Sequence, residues 1–323
     1  MKRNLNTQQV GLFLVYIGLG VCSGAVWMNI ANLQVLPSWH FEMITGHAPR
    51  PNQYRPLTPW LAEWFRPLTP RLAEWLQLPP PYGDLFLSYM LIRGLATGLA
   101  LYVFDRYMRV WFAPAAAAAG ALALAAIIPF TYYRVVQESD PINLLVVTAA
   151  FWALARDRDL WLIPLVLVGT LNRETTAMIP AVYLLARWRD RPAREVAWRT
   201  GILAASWAVV YFGLMRIYGW REPYTETIMW PRNVASAFPT LQVVLVYGAI
   251  WVLAVLGAKR APAIPRRALW LVPPYIALHY VVAMVNEVRL FLPLAPILIP
   301  VSWCVLFPEA RLGTEAPRKG KVA

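Results

Sequence analysis

"LFLSYMLIRGLATGLALYVF", residues 85 to 104, carries one charge, Arg93, in an otherwise apolar run. About 20 such residues cross the hydrocarbon core of a bilayer as a helix, so this stretch reads as a membrane span. Similar runs recur on both sides of it. They predict helices near 10–35, 85–104, 111–130, 141–155, 160–172, 174–187, 200–218, 241–258, 269–285 and 290–307. Pro164 and Pro180 mark the fifth and sixth as short, tilted or kinked. The expected fold is all-α, a polytopic transmembrane helix bundle of about ten spans. Residues 1–310 form its single domain and 311–323 a basic cytoplasmic tail.

Composition agrees. Of 323 residues 59% are hydrophobic and 15% charged, with a mean hydropathy of +0.47; an average soluble domain is roughly 25% charged. A net charge of +13 would suit nucleic acid, but the basic residues fall in short clusters between apolar runs instead of on one soluble face. Nucleic acid is therefore excluded as a partner. Cys22 and Cys304 both lie in apolar runs and read as packed thiols, because two such residues build neither a disulfide framework nor a metal site. Lys2 and Arg3 precede a long apolar run without a small-x-small cleavage site, which reads as an uncleaved first span.

The Lys/Arg excess of short loops marks the cytoplasmic side. Alternate loops carry it: Arg106 and Arg109; Arg156 and Arg158; Arg187, Arg189, Arg191, Arg194 and Arg199; Lys259, Arg260, Arg266 and Arg267; and the tail with Arg318, Lys319 and Lys321. Both termini are then cytoplasmic. The opposite side receives loops 36–84, 131–141, 172–176, 218–233 and 286–289, which mix both signs of charge with aromatic residues. Any chemical site is expected on that extracytoplasmic face.

The first outer loop holds a tandem repeat, "RPLTPWLAEWF" (55–65) followed by "RPLTPRLAEWL" (66–76). Each copy offers Thr then Pro, Thr58-Pro59 and Thr69-Pro70, an N-cap followed by the first helical position. Each predicts a short amphipathic helix, with Trp60, Leu61, Trp64 and Phe65 on one face of the first and Leu72, Trp75 and Leu76 on that of the second. Such Trp-bearing helices lie in the membrane interface, and Pro67 keeps the two from fusing.

Candidate site residues cluster in the outer loops. "ESDP" (138–141) places Glu138 and Asp140 two apart, beside Tyr132, Tyr133 and Arg134. Such a pair can hold a hard divalent cation or set one carboxyl as a base, while Asp140 before Pro141 also fits a plain helix start. "LNRETT" (171–176) sets Arg173 beside Glu174, with Asn172 as a cap. Glu174 suits the positive end of the following helix, whereas Arg173 opposes it and calls for an anionic partner. "NEVR" (286–289) holds Glu287 and Arg289 at the outer boundary, where Arg289 can also act as an interfacial anchor. Arg93 lies inside a span, and either meets an outer carboxylate or lipid phosphate or braces the bundle. His279 reads as a hydrogen-bonded packing residue. The first loop adds His40, Glu42, His47, Arg50, Tyr54 and Arg55, of which Glu42 is placed to act as a base near the bilayer surface. Phosphate-binding glycine loops, nucleophile elbows and zinc-type His-Glu motifs are absent from the sequence.

The long outer loop with "YRPLTPWL", the outer "ESDP", "NRET" heading a middle helix and "EVRLFLPLAP" near the end resemble bacterial multipass proteins of the GT-C glycosyltransferase superfamily. That resemblance implies an enzyme of the bacterial cytoplasmic (inner) membrane. It would transfer sugar from a polyprenyl-phosphate-linked donor to a glycan, lipid or protein acceptor on the extracytoplasmic face. It maps Glu42 onto the first-loop acid, and Glu138 with Asp140 onto an acidic pair that some members use for a divalent cation, Mg or Mn. The first loop departs from the pattern in lacking a paired Asp/Glu, and the chain has no large C-terminal domain. On this reading Glu42, Asp140 or Glu138 is catalytic. Arg55, Tyr54, Arg173, Glu174, Glu287, Arg289, Arg93 and His279 would bind substrate, the arginines at the donor phosphate. Two competing readings are a transporter or flippase of a lipid-linked substrate, which needs polar groups along a through-path, and a non-catalytic membrane assembly subunit.

Overall fold

The computed structural model describes residues 7–30, 35–77, 84–132 and 138–312, with the backbone only at 29 and 30. Lys2, Arg3, Tyr133, Arg134, Arg318, Lys319 and Lys321 lie outside the described residues. The architecture is all-helical, with no strand among the described residues.

The helices are α1 (Thr7–Ile30), α2 (Leu36–Thr45), α3 (Leu57–Phe65), α4 (Thr69–Trp75), α5 (Leu85–Met108) and α6 (Pro114–Ile127). They continue with α7 (Asp140–Ala155), α8 (Leu162–Asn172), α9 (Met178–Arg187) and α10 (Ala193–Tyr218). The last are α11 (Trp230–Val234), α12 (Phe238–Tyr247), α13 (Ala249–Gly257), α14 (Ala263–Ala268), α15 (Val272–Val282) and α16 (Ala295–Leu306). Short 3-10 turns extend several of them, at Ile128–Thr131, Asp159–Trp161, Glu174–Ala177 and Val288–Leu294.

Five stretches are long and apolar enough to cross a membrane among the described residues: Thr7–Met28, Leu85–Met108, Pro114–Thr131, Ala193–Tyr218 and Val288–Leu306. A sixth counts if α12 and α13, bent by 64° at Gly248, act as one. Gly248 sits at φ +48°, outside the helical region, so the break is built into the backbone there. The other predicted spans fall on α7, α8, α9 and α15, which are shorter. Of the ten predicted spans, six thus fall on helices long enough to cross by length and composition, counting the bent pair as one, and four on shorter helices.

Burial sorts the long helices by role. Of the most apolar 18 residues in Val288–Leu306, 94% are buried, against 28% in Thr7–Met28 and 11% in Ala193–Tyr218. Val288–Leu306 is therefore the central pillar, whereas α1 and α10 turn bare apolar surface outward. Val209, Phe212 and Ile217 of α10 are each more than half exposed. An apolar face of that extent suits lipid.

Where lipid is the outer solvent, helices associate through close packing at small residues. The α1–α5 pair does this. A Cβ at Gly20 would collide with the Gly94 carbonyl, and one at Gly98 would lie 2.8 Å from the Ile17 Cα and 2.9 Å from the Tyr16 carbonyl oxygen. α5 then packs on α7, and α16 on α13, α14 and α6.

Several local expectations are corrected. The first helix is described over Thr7–Ile30, and Leu36–Thr45, expected as loop, forms a helix begun by Pro37 and stopped by Gly46 at φ +80°. In the repeat, Thr58 and Thr69 are not caps. The Thr58 hydroxyl donates to Asn172 Oδ1 at 2.8 Å and that of Thr69 to the Arg66 and Asp84 carbonyls. Two short helices joined by a 3-10 turn at Arg66–Leu68 do form, burying the small face of Thr58, Pro59 and Ala62 while Trp60, Trp64 and Trp75 stay exposed. Cys22, expected to be packed, is exposed on α1, and Cys304 is buried.

Replacing Gly98 by Val tests the α1–α5 contact. The variant is expected to lose about 1–3 kcal/mol through overpacking, read as a lower midpoint of thermal unfolding in detergent. Gly18→Val, where an added Cβ meets nothing within 4 Å, should leave the midpoint near wild type.

Candidate functional site

Loops predicted to lie on the outer side converge at one end of the bundle. α7 begins there with Asp140, α8 ends there with Asn172, the Glu174–Ala177 turn leads into α9, and the Val288–Leu294 turn leads into α16. Backbone and side-chain links tie them together. Asn172 Nδ2 donates to the Ser139 carbonyl at 2.8 Å, and Arg173, extended at φ −163°, reverses the chain between α8 and α9. Asn172 thus ends α8 and braces α7, where the sequence suggested a cap of the next helix.

The centre is a buried ion cluster. Asp140 pairs with Arg173, and Arg289 Nη1 lies 3.3 Å from both of its carboxylate oxygens. Arg289 also pairs with Glu287. Arg55 reaches from the first outer loop to Glu174, its Nε donating to Oε2 at 2.9 Å and its Nη2 to Oε1. Asp140, Arg173 and Arg289 are almost wholly buried. Charges so buried persist only when paired, and here the pairing joins segments about 30 to 150 positions apart in sequence.

Arg55, Arg173 and Arg289 also line a cavity of about 840 Å³. Glu174, Glu287, Tyr275 and His279 line it as well. Part of its wall is apolar, formed by Met178 and Ala181 of α9, by Leu271 just before α15 and by Pro274, Leu278 and Val282 along α15. Leu278 and Val282 are about half exposed, so the groove opens sideways between helices. Arg173 and Arg289 each keep a buried Nε without a partner, and so does the Thr175 hydroxyl at the cavity wall. Unsatisfied donors of this kind favour an acceptor-rich ligand.

The other candidates fall around this centre. Glu138 is buried just behind it with Oε1 unpartnered. Burial pushes its carboxyl above the ordinary range, against the pull of Arg93, Arg289 and Arg55. Arg93 is buried on α5 with its guanidinium 4.7 Å from the Trp27 ring and 4.8 Å from that of Tyr132, a bracing role away from the cavity lining. Tyr54 is also outside the lining: its hydroxyl donates to the Gly219 carbonyl at 2.9 Å and accepts from Arg221 N–H at 3.2 Å. Those bonds, with Arg50 N–H to the Glu222 carbonyl and Tyr224 N–H to that of Arg50, hold the 219–229 strap against the first loop. His279 Nδ1 bonds the Tyr275 carbonyl at 2.8 Å, as a packing histidine would. Glu42 lies half-buried on α2 and does not line the cavity.

Glu138 and Asp140 do not fit a divalent cation in this arrangement. Two guanidiniums already neutralise Asp140, so a metal there would face two like charges. Among the described residues no group of three or more His, Cys, Asp or Glu converges. His40 serves the fold, bridging Tyr89 at 2.9 Å and Glu63 at 2.6 Å, and burial lowers its pKa despite the Glu63 bond.

Aromatic residues of the cavity, Trp39, Trp207, Tyr211 and Tyr224, were not singled out in the sequence. The signal was the four-residue spacing of Trp207 and Tyr211, which places both on one face of α10. Comparison of the chain with protein-family models, with curated proteins and with solved structures finds no match in any of the three.

Two measurements test the cluster. Asp140→Ala leaves two buried cations facing one another and is expected to cost about 3–5 kcal/mol in unfolding in detergent. Adding Arg173→Met to it should restore part of that loss. The second concerns Glu174, which burial alone would raise but which Arg55 and Arg173 hold at about 2. Its contribution to stability is complete above its ordinary pKa of 4.5 and disappears as pH falls toward 2. The fall in unfolding midpoint between pH 5 and pH 2 should therefore be smaller in Glu174→Gln than in wild type.

Proposed function

We propose that this protein is a membrane glycosyltransferase that uses a polyprenyl-phosphate-linked sugar, working on the extracytoplasmic face of the bacterial inner membrane. The observation that carries the reading is the join, within one cavity, between an apolar groove open to the side and three arginines at its head. An amphiphile with an anionic group at the end of a long apolar chain matches both halves. The chain lies along α9 and α15, and the phosphodiester meets Arg55, Arg173 and Arg289 through charge-assisted hydrogen bonds.

In the transfer, a hydroxyl oxygen of the acceptor attacks the anomeric carbon and a new C–O bond forms. The bond from that carbon to the carrier phosphate breaks, and its electron pair stays on the phosphate oxygen. The arginines stabilise the charge that grows there. The acceptor proton passes to a carboxylate. Of the two that line the cavity, Arg55 holds Glu174 at about 2, too weak a base for the step. Glu287, at the cavity wall beside Arg289, takes the proton in this proposal. Asp140 fixes the arginines from behind.

Incubating the purified protein with polyprenyl-phospho-sugars and following carrier release tests the reading. Arg173→Ala is expected to lower kcat/KM about 10- to 100-fold, the worth of a lost charged hydrogen bond. Glu287→Gln should lower kcat about 100-fold or more, as loss of a general base does. Arg66→Ala, in the second repeat copy where the guanidinium pairs with Glu63 at the surface, should keep wild-type activity. Full activity in both Arg173→Ala and Glu287→Gln removes the assignment, and movement of lipid across liposomes without carrier cleavage replaces it with transport.

A further inference from the structure

A lipid phosphate accounts for the groove and the arginines but leaves the third zone of the cavity unexplained. That zone is aromatic. Trp39 of α2, Trp207 and Tyr211 of α10, and Tyr224 of the 219–229 strap come from three separate parts of the chain to line it. Trp39 and Tyr224 meet edge to face, with centroids 5.1 Å apart and planes at 71°. Trp207 and Tyr211 lie almost parallel, 5.0 Å apart at 11°.

The aromatic zone is registered to the ionic one. Trp207 Nε1–H donates to the Glu174 carbonyl at 3.0 Å, so the indole hangs from the same residue whose carboxylate holds Arg55. Tyr211 is fixed in turn by the Tyr54 ring, edge-on at 6.1 Å, and Tyr54 is bound to the start of the strap. A phosphate on Arg55 therefore has the aromatic rings at a set position beside it. The strap is clamped at both ends, by Arg50 at one and by Met229 N–H to the Val281 carbonyl at 2.7 Å at the other. Tyr224 is thereby held at the cavity.

Two ligand groups could stand beside a phosphate on aromatic rings: a quaternary ammonium or a sugar. An ammonium calls for a box, rings set around one point with their faces inward. Trp207 and Tyr211 instead stack on one another, which closes off the space between them and leaves a single outer ring face for a ligand. A flat π face is negative, and the row of C–H groups on one side of a pyranose ring is weakly positive, so the two stack, while the hydroxyl edge is left for hydrogen bonding. Glu287 and Thr175 at the same cavity supply acceptors and a hydroxyl for that edge.

We infer that Trp207 and Tyr211, with Trp39 and Tyr224 lining the same cavity, form the subsite that selects a pyranose as the sugar carried by the lipid phosphate. The inference rests on the lipid-phosphate reading of the cavity and adds to it the sugar class and the residues that read it.

The test compares two ligands on full-length protein in nanodiscs: undecaprenyl phosphate and the same lipid carrying a hexopyranose. Wild type is expected to bind the sugar-bearing lipid about tenfold more tightly, the scale of one or two aromatic contacts. Trp207→Leu and Tyr211→Leu should remove that excess while changing affinity for the sugar-free lipid less than about twofold. Trp207→Phe, which keeps a ring, should retain most of it. Equal affinity of wild type for the two lipids overturns the inference and leaves the lipid-phosphate reading standing, as does an equal loss of both in the Leu variants. Preference for a phosphocholine lipid overturns it in favour of an ammonium site. Binding of neither polyprenyl lipid by wild type overturns both readings.

Discussion

The structure depends on Asp140 being held between Arg173 and Arg289. Each lies where a polar loop meets an apolar helix, and each is nearly inaccessible to water. Separately, such charges would be costly inside a bundle surrounded by lipid. Together they let α7, the turn between α8 and α9, and the run into α16 meet in one register. Apolar helices in lipid have little to tell one packing from another, because a side chain gains about as much from lipid as from a neighbour. A buried ion cluster discriminates between registers, since any slip leaves a charge alone.

The same contrast explains how the helices divide their roles. The Val288–Leu306 stretch, carrying Arg289 at one end, is almost entirely buried, while α10 is apolar and almost bare. Sequence hydropathy treats these two alike. What separates them is the partner: one is clamped by Asp140 and packed on every side, the other contributes only a narrow stripe, including Trp207, to the cavity. At the far end of α9 a second network gathers Arg187, Arg191 and Arg199 around Asp159, and Arg267 pairs with Asp190. The two charged clusters therefore cap opposite ends of the same helices.

Much of this was legible. Helix positions followed from apolar runs, and sorting loops by charge correctly grouped those that meet at each end, because charges must sit at the ends of apolar segments wherever those segments pack. Arg173 was flagged because a cation at a helix start needs an anion, and Asp140 is that anion. Legibility failed where packing decided. Leu36–Thr45 carries a helix start at Pro37 and a stop at Gly46, yet it was read as part of the first outer loop. Glu42 sits on that helix and does not line the cavity. Thr58 and Thr69 looked like caps on spacing alone, whereas their hydroxyls bond outward to other elements. Of the aromatic lining only the Trp207–Tyr211 spacing on α10 left a mark in the sequence, since the lining is assembled from three distant stretches.

The repeat shows how identical sequence acquires different work. Both copies begin Arg-Pro-Leu-Thr-Pro and both threonines are buried, each tying its helix to a neighbour: Thr58 to Asn172 at the site, Thr69 to the Asp84 carbonyl ahead of α5. The arginines diverge more. Arg55 follows the strap-bound Tyr54 and reaches Glu174, while Arg66 falls back on Glu63 at the surface. Glu63 is at the same time committed to His40, so the second arginine reinforces the mounting of the first helix instead of entering the cavity. Location in the fold, set by the neighbour each threonine finds, is what turned one copy toward the site and made the other its support.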